Sequence, residues 1–90
     1  MKIKEGFVLR EVAGSNIVVP VGNAQMSFSG IMTLNDVGTF IWHMLEREQG
    51  AEKQEILEAV LAEYDADAET VSKDIDRFII KLQAQHLLED

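Results

Sequence analysis

The hydrophobic pattern of the chain changes period once, near residue 34, and this change constrains the fold more than any other feature. Before that point, short runs rich in β-branched residues alternate with turn residues, which is typical of strands. After it, apolar residues recur every three or four positions, which is typical of amphipathic helices. Strands that precede helices, rather than alternate with them, predict an α+β fold.

Four segments of the first third are predicted to be strands, and turn residues separate them: 7–12, 16–21, 24–29 and 31–34. Residues 24–29 alternate strictly between apolar and polar side chains, the pattern of a half-buried strand. Pro20 has no N–H to donate, so we expect an edge or a bulge at that position. The short turns between successive segments predict a small antiparallel meander.

Three helices are predicted after the strands. Asn35 is a favourable N-cap for the first helix, which is expected to end at residues 49–50, Gln-Gly. Gly38 lies inside this helix at a cost of about 1 kcal/mol relative to alanine, so we expect another backbone to approach it closely. The second helix covers residues 53–64, and Asp67 caps the third. The inward-facing residues of the third helix are Val71, Ile75, Phe78, Ile79 and Leu82.

Length and composition narrow the class of protein. Ninety residues, 1–90, fit a single domain, and we expect Leu87 and Leu88 to fold back onto its core. The absence of cysteine excludes disulfides, iron–sulfur clusters and thiolate zinc sites, which suits a reducing cytoplasm. The first residues lack the apolar run of a signal peptide, and no segment approaches the ~18 apolar residues that a membrane span requires. A soluble, cytoplasmic protein without membrane contact is therefore expected.

The net charge of −8 is concentrated in the helical part. Residues 1–34 carry three basic and two acidic side chains, whereas residues 35–90 carry five basic and 14 acidic ones. Such a field repels the phosphates of nucleic acids, so no nucleic-acid partner is predicted. Most of the excess is explained by solubility alone.

No pattern in the sequence predicts catalysis, a metal site or a cofactor. His43 and His86 lie far apart and have no metal-ligand spacing, and lone histidines of this kind are usually surface residues or lie at the edge of the core. No nucleophile elbow, Walker loop or dinucleotide-binding glycine motif occurs. The carboxylates mostly occupy the polar faces of helices, where solvated surface is a simpler interpretation than an acid–base pair. We therefore predict that the chain is not an enzyme and needs no cofactor.

The segment from Ile31 to Leu34 is the first of two features that suggest a binding site. It leads directly into the first helix, and if it is the last strand of the meander, one of its edges has no partner in the sheet. It carries neither lysine nor proline, the residues that usually protect such an edge. The edge is therefore either covered by another element, the commoner outcome, or open to a partner strand.

A basic ridge on the third helix is the second feature, and it consists of Lys73, Arg77 and Lys81. Like charges at this spacing destabilise a helix by a few tenths of a kcal/mol each, so stability does not explain the arrangement. Nearby carboxylates could neutralise the ridge, and a solvated face is the simpler interpretation. The alternative is an anchor for an acidic peptide. Ile80 projects away from the apolar stripe, either as an ordinary exposed residue or as a contact with a partner.

An ordered set of short motifs resembles the PqqD-like family. The set begins with residues 19–22 (Val-Pro-Val-Gly) and continues with residues 33–42 (Thr-Leu-Asn-Asp-Val-Gly-Thr-Phe-Ile-Trp). It closes with residues 63–65 (Glu-Tyr-Asp), Val71, residues 74–79, Leu82 and residues 87–88. Each motif is weakly specific by itself, but their order and spacing extend over nearly the whole chain, from about residue 7 to residue 88.

The resemblance implies a winged-helix-like α+β domain in which a three-stranded antiparallel β-sheet is followed by three α-helices. Members of the family bind the leader segment of a ribosomally synthesised precursor peptide as an added strand and present it to a modifying enzyme, often a radical-SAM enzyme. The peptide-binding residues that the resemblance implies are Ile31, Met32, Thr33, Leu34, Asp74, Ile75, Arg77, Phe78 and Lys81. Replacing Met32 with proline is expected to abolish binding by removing a ladder donor.

Two alternatives remain open from the sequence. A winged-helix DNA-binding regulator would share much of this architecture, although the acidic helical half argues against it. A structural or oligomerisation domain is the other alternative, and the lack of any peptide partner would favour it.

Overall fold

The computed structural model describes residues 1–22 and 32–89. The strands within those ranges are β1 (Lys2–Ile3), β2 (Phe7–Val12), β3 (Ser15–Pro20), β4 (Met32–Leu34) and β5 (Leu88–Glu89). The helices are α1 (Asp36–Leu45), α2 (Lys53–Glu63) and α3 (Ala68–Ala84). The strand predicted at residues 24–29 and the predicted site residue Ile31 lie outside the described residues.

Strands β2, β3 and β4 form a three-stranded antiparallel sheet with β3 in the middle. Strands β2 and β3 are joined by Ala13 and Gly14, which adopt positive φ angles of 52° and 83°. Two consecutive residues of this kind make the tight turn whose twist matches that of the flanking strands. This sheet and the three helices confirm the predicted α+β fold.

Pro20 is the last residue of the central strand, and the register of β3 with β2 continues to it without a bulge, so the bulge that the sequence allows is absent. The described part of β4 pairs with β3 only at residues 16–18, so Pro20 lies beyond that pairing. The N–H of Val21 donates to the carbonyl of Gly6 at 2.7 Å. Because backbone groups along an antiparallel strand point to its two neighbours alternately, those of Pro20 point away from β2. The missing N–H therefore removes no bond between β2 and β3.

Helices α1 and α3 begin where their capping residues predict. The Asn35 side chain accepts a hydrogen bond from the Gly38 N–H at 2.7 Å, and the Asp67 side chain accepts one from the Thr70 N–H at 3.0 Å. Helix α1 ends at Leu45, several residues before the predicted Gln-Gly break. Each cap satisfies a backbone donor that has no partner inside its helix.

A single buried cluster joins the sheet to all three helices. Its members are Ile3, Val18, Met32, Leu34, Ile41, Trp42, Leu45, Ala51, Ile56, Val60, Val71, Ile75, Ile79, Leu82, Leu87 and Leu88. The presence of Leu87 and Leu88 in this cluster confirms that the end of helix α3 is followed by a turn back onto the core. Ile80 is exposed, as its position opposite the apolar stripe predicts.

A second, two-stranded sheet was not predicted. It pairs β1 with β5 in antiparallel register, with Ile3 opposite Leu88. The N–H of Lys4 donates to the carbonyl of Leu87 at 2.8 Å and extends this pairing. Strands of two residues are too short to show an alternating pattern, so the sequence holds no signal for them.

Candidate functional site

Strand β4 is the outer strand of the three-stranded sheet, and no other described strand pairs with its far edge. Residues Met32, Thr33 and Leu34 lie opposite Val18, Ile17 and Asn16 of β3. The bond between Val21 and Gly6 fixes the direction of the backbone groups along β3, because they point to the two neighbouring strands alternately. By this alternation, the backbone groups of positions 16 and 18 point to β4, and those of position 17 point to β2.

Thr33 is consequently the residue of β4 whose backbone N–H and C=O point to the open edge. Met32 and Leu34 lie opposite the β3 residues that point to β4, and they exchange hydrogen bonds with that strand. Their side chains are 4% and 6% exposed and belong to the core, whereas the Thr33 side chain is exposed. Thr33 thus offers one donor and one acceptor at an edge that no other described strand occupies.

Met32→Pro was expected to abolish peptide binding by removing a hydrogen-bond donor, and the donor named in that expectation is the wrong one. The Met32 N–H points to β3, so a proline there would remove a bond within the sheet. The donor on the open edge belongs to Thr33.

A groove of about 320 Å³ lies between α1 and α3. Its lining residues are Asn35, Val37, Gly38, Ile41, Asp74, Arg77, Phe78 and Lys81. A cavity of about 100 Å³ adjoins it at the end of β4, and its lining residues are Thr33, Leu34, Asn35, Gly38, Phe78 and Lys81. Because four residues line both spaces, the open edge of the sheet and the groove form one continuous surface.

Six predicted site residues line one or both of these spaces: Thr33, Leu34, Asp74, Arg77, Phe78 and Lys81. Met32 and Ile75 are buried in the core and line neither space. Ile75 is 0% exposed and belongs to the buried cluster.

The wall that α1 contributes to the groove was missed in the sequence. Gly38 is the residue that could have revealed it, since a glycine inside a helix usually has a packing reason. A Cβ atom placed there would lie 3.2 Å from Oδ1 of Asn35, 3.5 Å from Cβ of Leu34 and 3.6 Å from Cε1 of Phe78. The nearest neighbours of Gly38 are therefore side chains, and the expectation that a backbone approaches it is wrong. Because Gly38 has no side chain, those of Asn35, Leu34 and Phe78 can lie this close to the helix backbone.

Two of the three residues in the basic ridge are already paired. Arg77 lies 3.4 Å from Asp74, and Lys73 lies 3.5 Å from Glu69. Lys81 makes no ion pair within the described part of the chain, and it lines both the groove and the smaller cavity. The ridge therefore contributes one unneutralised cation to the site.

The described residues provide neither a cluster of metal-ligating side chains nor a helix that could cross a membrane. Within them, no group of three or more histidine, aspartate or glutamate side chains is placed to hold a metal ion. None of their helices combines the length and apolar character that crossing a bilayer requires. The His43 ring lies 2.7 Å from the Glu46 carboxylate on the surface of α1, outside the groove.

The fold and the site together define a class of small α+β domain, in which an open strand edge and a groove between two helices form one surface. The family model for coenzyme PQQ synthesis protein D (PqqD) matches residues 8–88. The chain belongs to the PqqD family, which confirms the resemblance found in its motifs.

A solved structure shares this fold across its length. It is described as TbiB1 in complex with the TbiA(beta) leader peptide, and it superimposes with a TM-score of 0.74 at 30% sequence identity. The match covers 99% of this chain and 95% of that chain. No curated protein matches the chain. Neither the family nor this structure supports the alternative of a DNA-binding regulator.

Proposed function

We propose that this protein binds the leader segment of a ribosomally synthesised precursor peptide as an added β-strand and presents it to a modifying enzyme. The observation that carries the proposal is the outward N–H and C=O of Thr33, on a strand edge that continues into the groove. Membership of the PqqD family and likeness to TbiB1, which was solved with a leader peptide, support it. The proposed partner is a radical-SAM enzyme, as the resemblance implies, and this chain itself is proposed to be non-catalytic and cytoplasmic.

The groove has to supply most of the binding energy. A backbone hydrogen bond contributes roughly 1 kcal/mol net, and the described edge offers two such groups, both on Thr33. Micromolar affinity requires about 8 kcal/mol beyond the cost of association. Burying one apolar side chain contributes about 1.5–3 kcal/mol. We therefore expect side chains of the peptide to fill the groove, while the edge of β4 sets the direction of the peptide.

The groove is suited to binding the side chains of a peptide whose backbone pairs with β4. Alternate side chains of an extended peptide point to the same side, so every second one would face α1 and α3. Val37, Ile41 and Phe78 provide apolar surface there, and Asp74 and Arg77 provide polar groups at the same site. Ile31 remains a predicted contact, whereas the buried Met32, Leu34 and Ile75 are proposed to hold the contacting residues in place.

The first experiment is a titration of the ¹⁵N-labelled protein with a synthetic peptide, whose sequence is that of a precursor leader encoded beside the gene of this protein. Chemical-shift changes are expected at residues 32–34 and along the groove side of α3. Thr33→Pro should weaken the affinity about tenfold or more, because it removes the outward donor and places a ring on the edge. Thr33→Val is the matched control, since it keeps both the N–H and a β-branched side chain, and it should bind like the wild type.

A dispersed amide spectrum of Thr33→Pro first establishes that the variant is folded. Proline is tolerated on an outer strand whose N–H faces solvent, so we expect the fold to persist. Chemical-shift changes confined to the opposite face of the protein would contradict the proposal. Wild-type affinity of the folded Thr33→Pro variant would contradict it as well.

A further inference from the structure

The groove carries a local positive charge on a protein whose net charge is −8. Its charged lining residues are Asp74, Arg77 and Lys81. Asp74 and Arg77 lie 3.4 Å apart and largely neutralise each other. Lys81 has no such partner among the described residues, so a carboxylate that enters the groove meets one uncompensated cation.

The position of Lys81 brings this charge close to both parts of the proposed site. Lys81 lines the groove beside Phe78 and Val37, and it also lines the smaller cavity beside Thr33. A lysine ammonium is a compact charge on a flexible four-carbon stem, so it can follow a carboxylate along a short stretch of peptide. An extended strand paired with Thr33 would carry its side chains past both Phe78 and Lys81.

We propose that the site selects peptides with an aspartate or glutamate two residues away from an apolar anchor side chain, an inference that rests on the proposed function. Successive side chains on one face of a strand are two residues apart, so the anchor and the carboxylate face the groove together. The anchor lies against Phe78 in the groove, and the carboxylate pairs with Lys81.

This ion pair acts on selectivity more than on affinity. Lys81 is exposed, so water and salt screen its interaction with a carboxylate. The rest of the helical surface is acidic and repels carboxylates, which leaves Lys81 as the favourable place for one in the groove. The expected preference for a carboxylate over its neutral amide is on the order of two- to fivefold.

The experiment selects binders from a displayed library of random peptides of about 12 residues, a length that spans roughly 40 Å when extended. A selected peptide is then synthesised with its acidic residue intact, replaced by the corresponding amide, and replaced by lysine. Each form is titrated against the wild type and against three variants: Lys81→Gln, Lys81→Glu and Lys73→Glu. Amide spectra establish that each variant is folded and that the peptide perturbs Thr33.

The matched control, Lys73→Glu, separates the effect of the charge on Lys81 from the effect of the net charge of the protein. Lys73→Glu and Lys81→Glu change the net charge equally and lie on the same helix, but Lys73 is paired with Glu69 and does not line the groove. The wild type and Lys73→Glu should prefer the acidic peptide by the same factor. Lys81→Gln should lose that preference, and Lys81→Glu should favour the lysine-containing peptide.

The outcomes distinguish this inference from the function on which it rests. Two outcomes would overturn the inference and leave the proposed function standing. In the first, the peptides perturb Thr33 but the acidic form binds no better than the amide form. In the second, Lys73→Glu removes the preference for the acidic form as fully as Lys81→Glu does. A library that gives no binder at the edge of β4 would overturn both.

Discussion

Thr33 and the residues on either side of it have different roles, although they are consecutive in a three-residue strand. Met32 and Leu34 bury their side chains in the core and direct their backbone groups towards β3. Thr33 exposes its side chain and directs its N–H and C=O towards the open edge. A similar division applies on α3, where Phe78 and Lys81 line the groove and Ile75 is buried in the core. The role of each of these residues in the site therefore depends on the direction in which its groups point.

Two isoleucines on α3 test this division. Ile75 is 0% exposed, so Ile75→Ala leaves a cavity in the core and should lower the free energy of unfolding by about 2–5 kcal/mol. Ile80 is 63% exposed, so Ile80→Ala should change that free energy by less than about 0.5 kcal/mol. Urea denaturation followed by circular dichroism measures both. Equal losses would contradict the assignment of Ile75 to the core.

Among the elements, the small sheet of β1 and β5 pairs the two ends of the described chain with each other. Met1, next to β1, also contacts the segment before α2. The backbone carbonyl of Met1 accepts a hydrogen bond from the Ala51 N–H at 2.8 Å. The Met1 amino group also pairs with the Glu52 carboxylate. At Gly50, φ is +65° and a Cβ atom would clash with the Met1 backbone, so no side chain fits between the two segments there.

Gly50→Ala should therefore cost more stability than Gly14→Ala. Both glycines adopt a positive φ, so both substitutions incur about 1–2 kcal/mol of backbone strain. A Cβ at Gly50 would lie 2.1 Å from the Met1 carbonyl oxygen, whereas nothing lies within 4 Å of one at Gly14. Thermal unfolding of the two variants measures the difference. A loss for Gly50→Ala no greater than that for Gly14→Ala would show that the contact with Met1 does not constrain the fold.

Across the whole molecule, the charge distribution separates peptide binding from nucleic-acid binding. The helical part, residues 35–90, carries 14 acidic and five basic side chains. On α3, acidic residues already pair with Lys73 and Arg77, and Asp76 pairs with Lys53. Four of the five cations of the helical part are therefore already paired with described carboxylates, and few remain there for a phosphate backbone.

We accordingly expect no retardation of duplex DNA in a mobility-shift assay, even at low salt, where electrostatic binding is strongest. The same preparation should bind its leader peptide, which establishes that the protein is active. Specific retardation of a duplex would instead favour the DNA-binding alternative that the architecture left open.

Local patterns in the sequence were sufficient for much of the fold. The caps Asn35 and Asp67 marked the starts of α1 and α3, because a cap acts on backbone groups within three residues of itself. The first two strands of the three-stranded sheet and the stripe of buried residues on α3 followed from periods of two and of three to four residues. The order of the motifs indicated the family, and with it most of the residues that line the site.

Which backbone and side-chain groups those residues present to a partner depends on contacts across the folded chain. The outward direction of Thr33 depends on a register set by pairing across the sheet, and the wall that α1 provides depends on how it packs against α3. The pairing of Lys4 with Leu87, far apart in the chain, left no local signal at all. A pattern over a few residues encodes secondary structure and burial, whereas partners, register and uncompensated charge arise from contacts between distant segments.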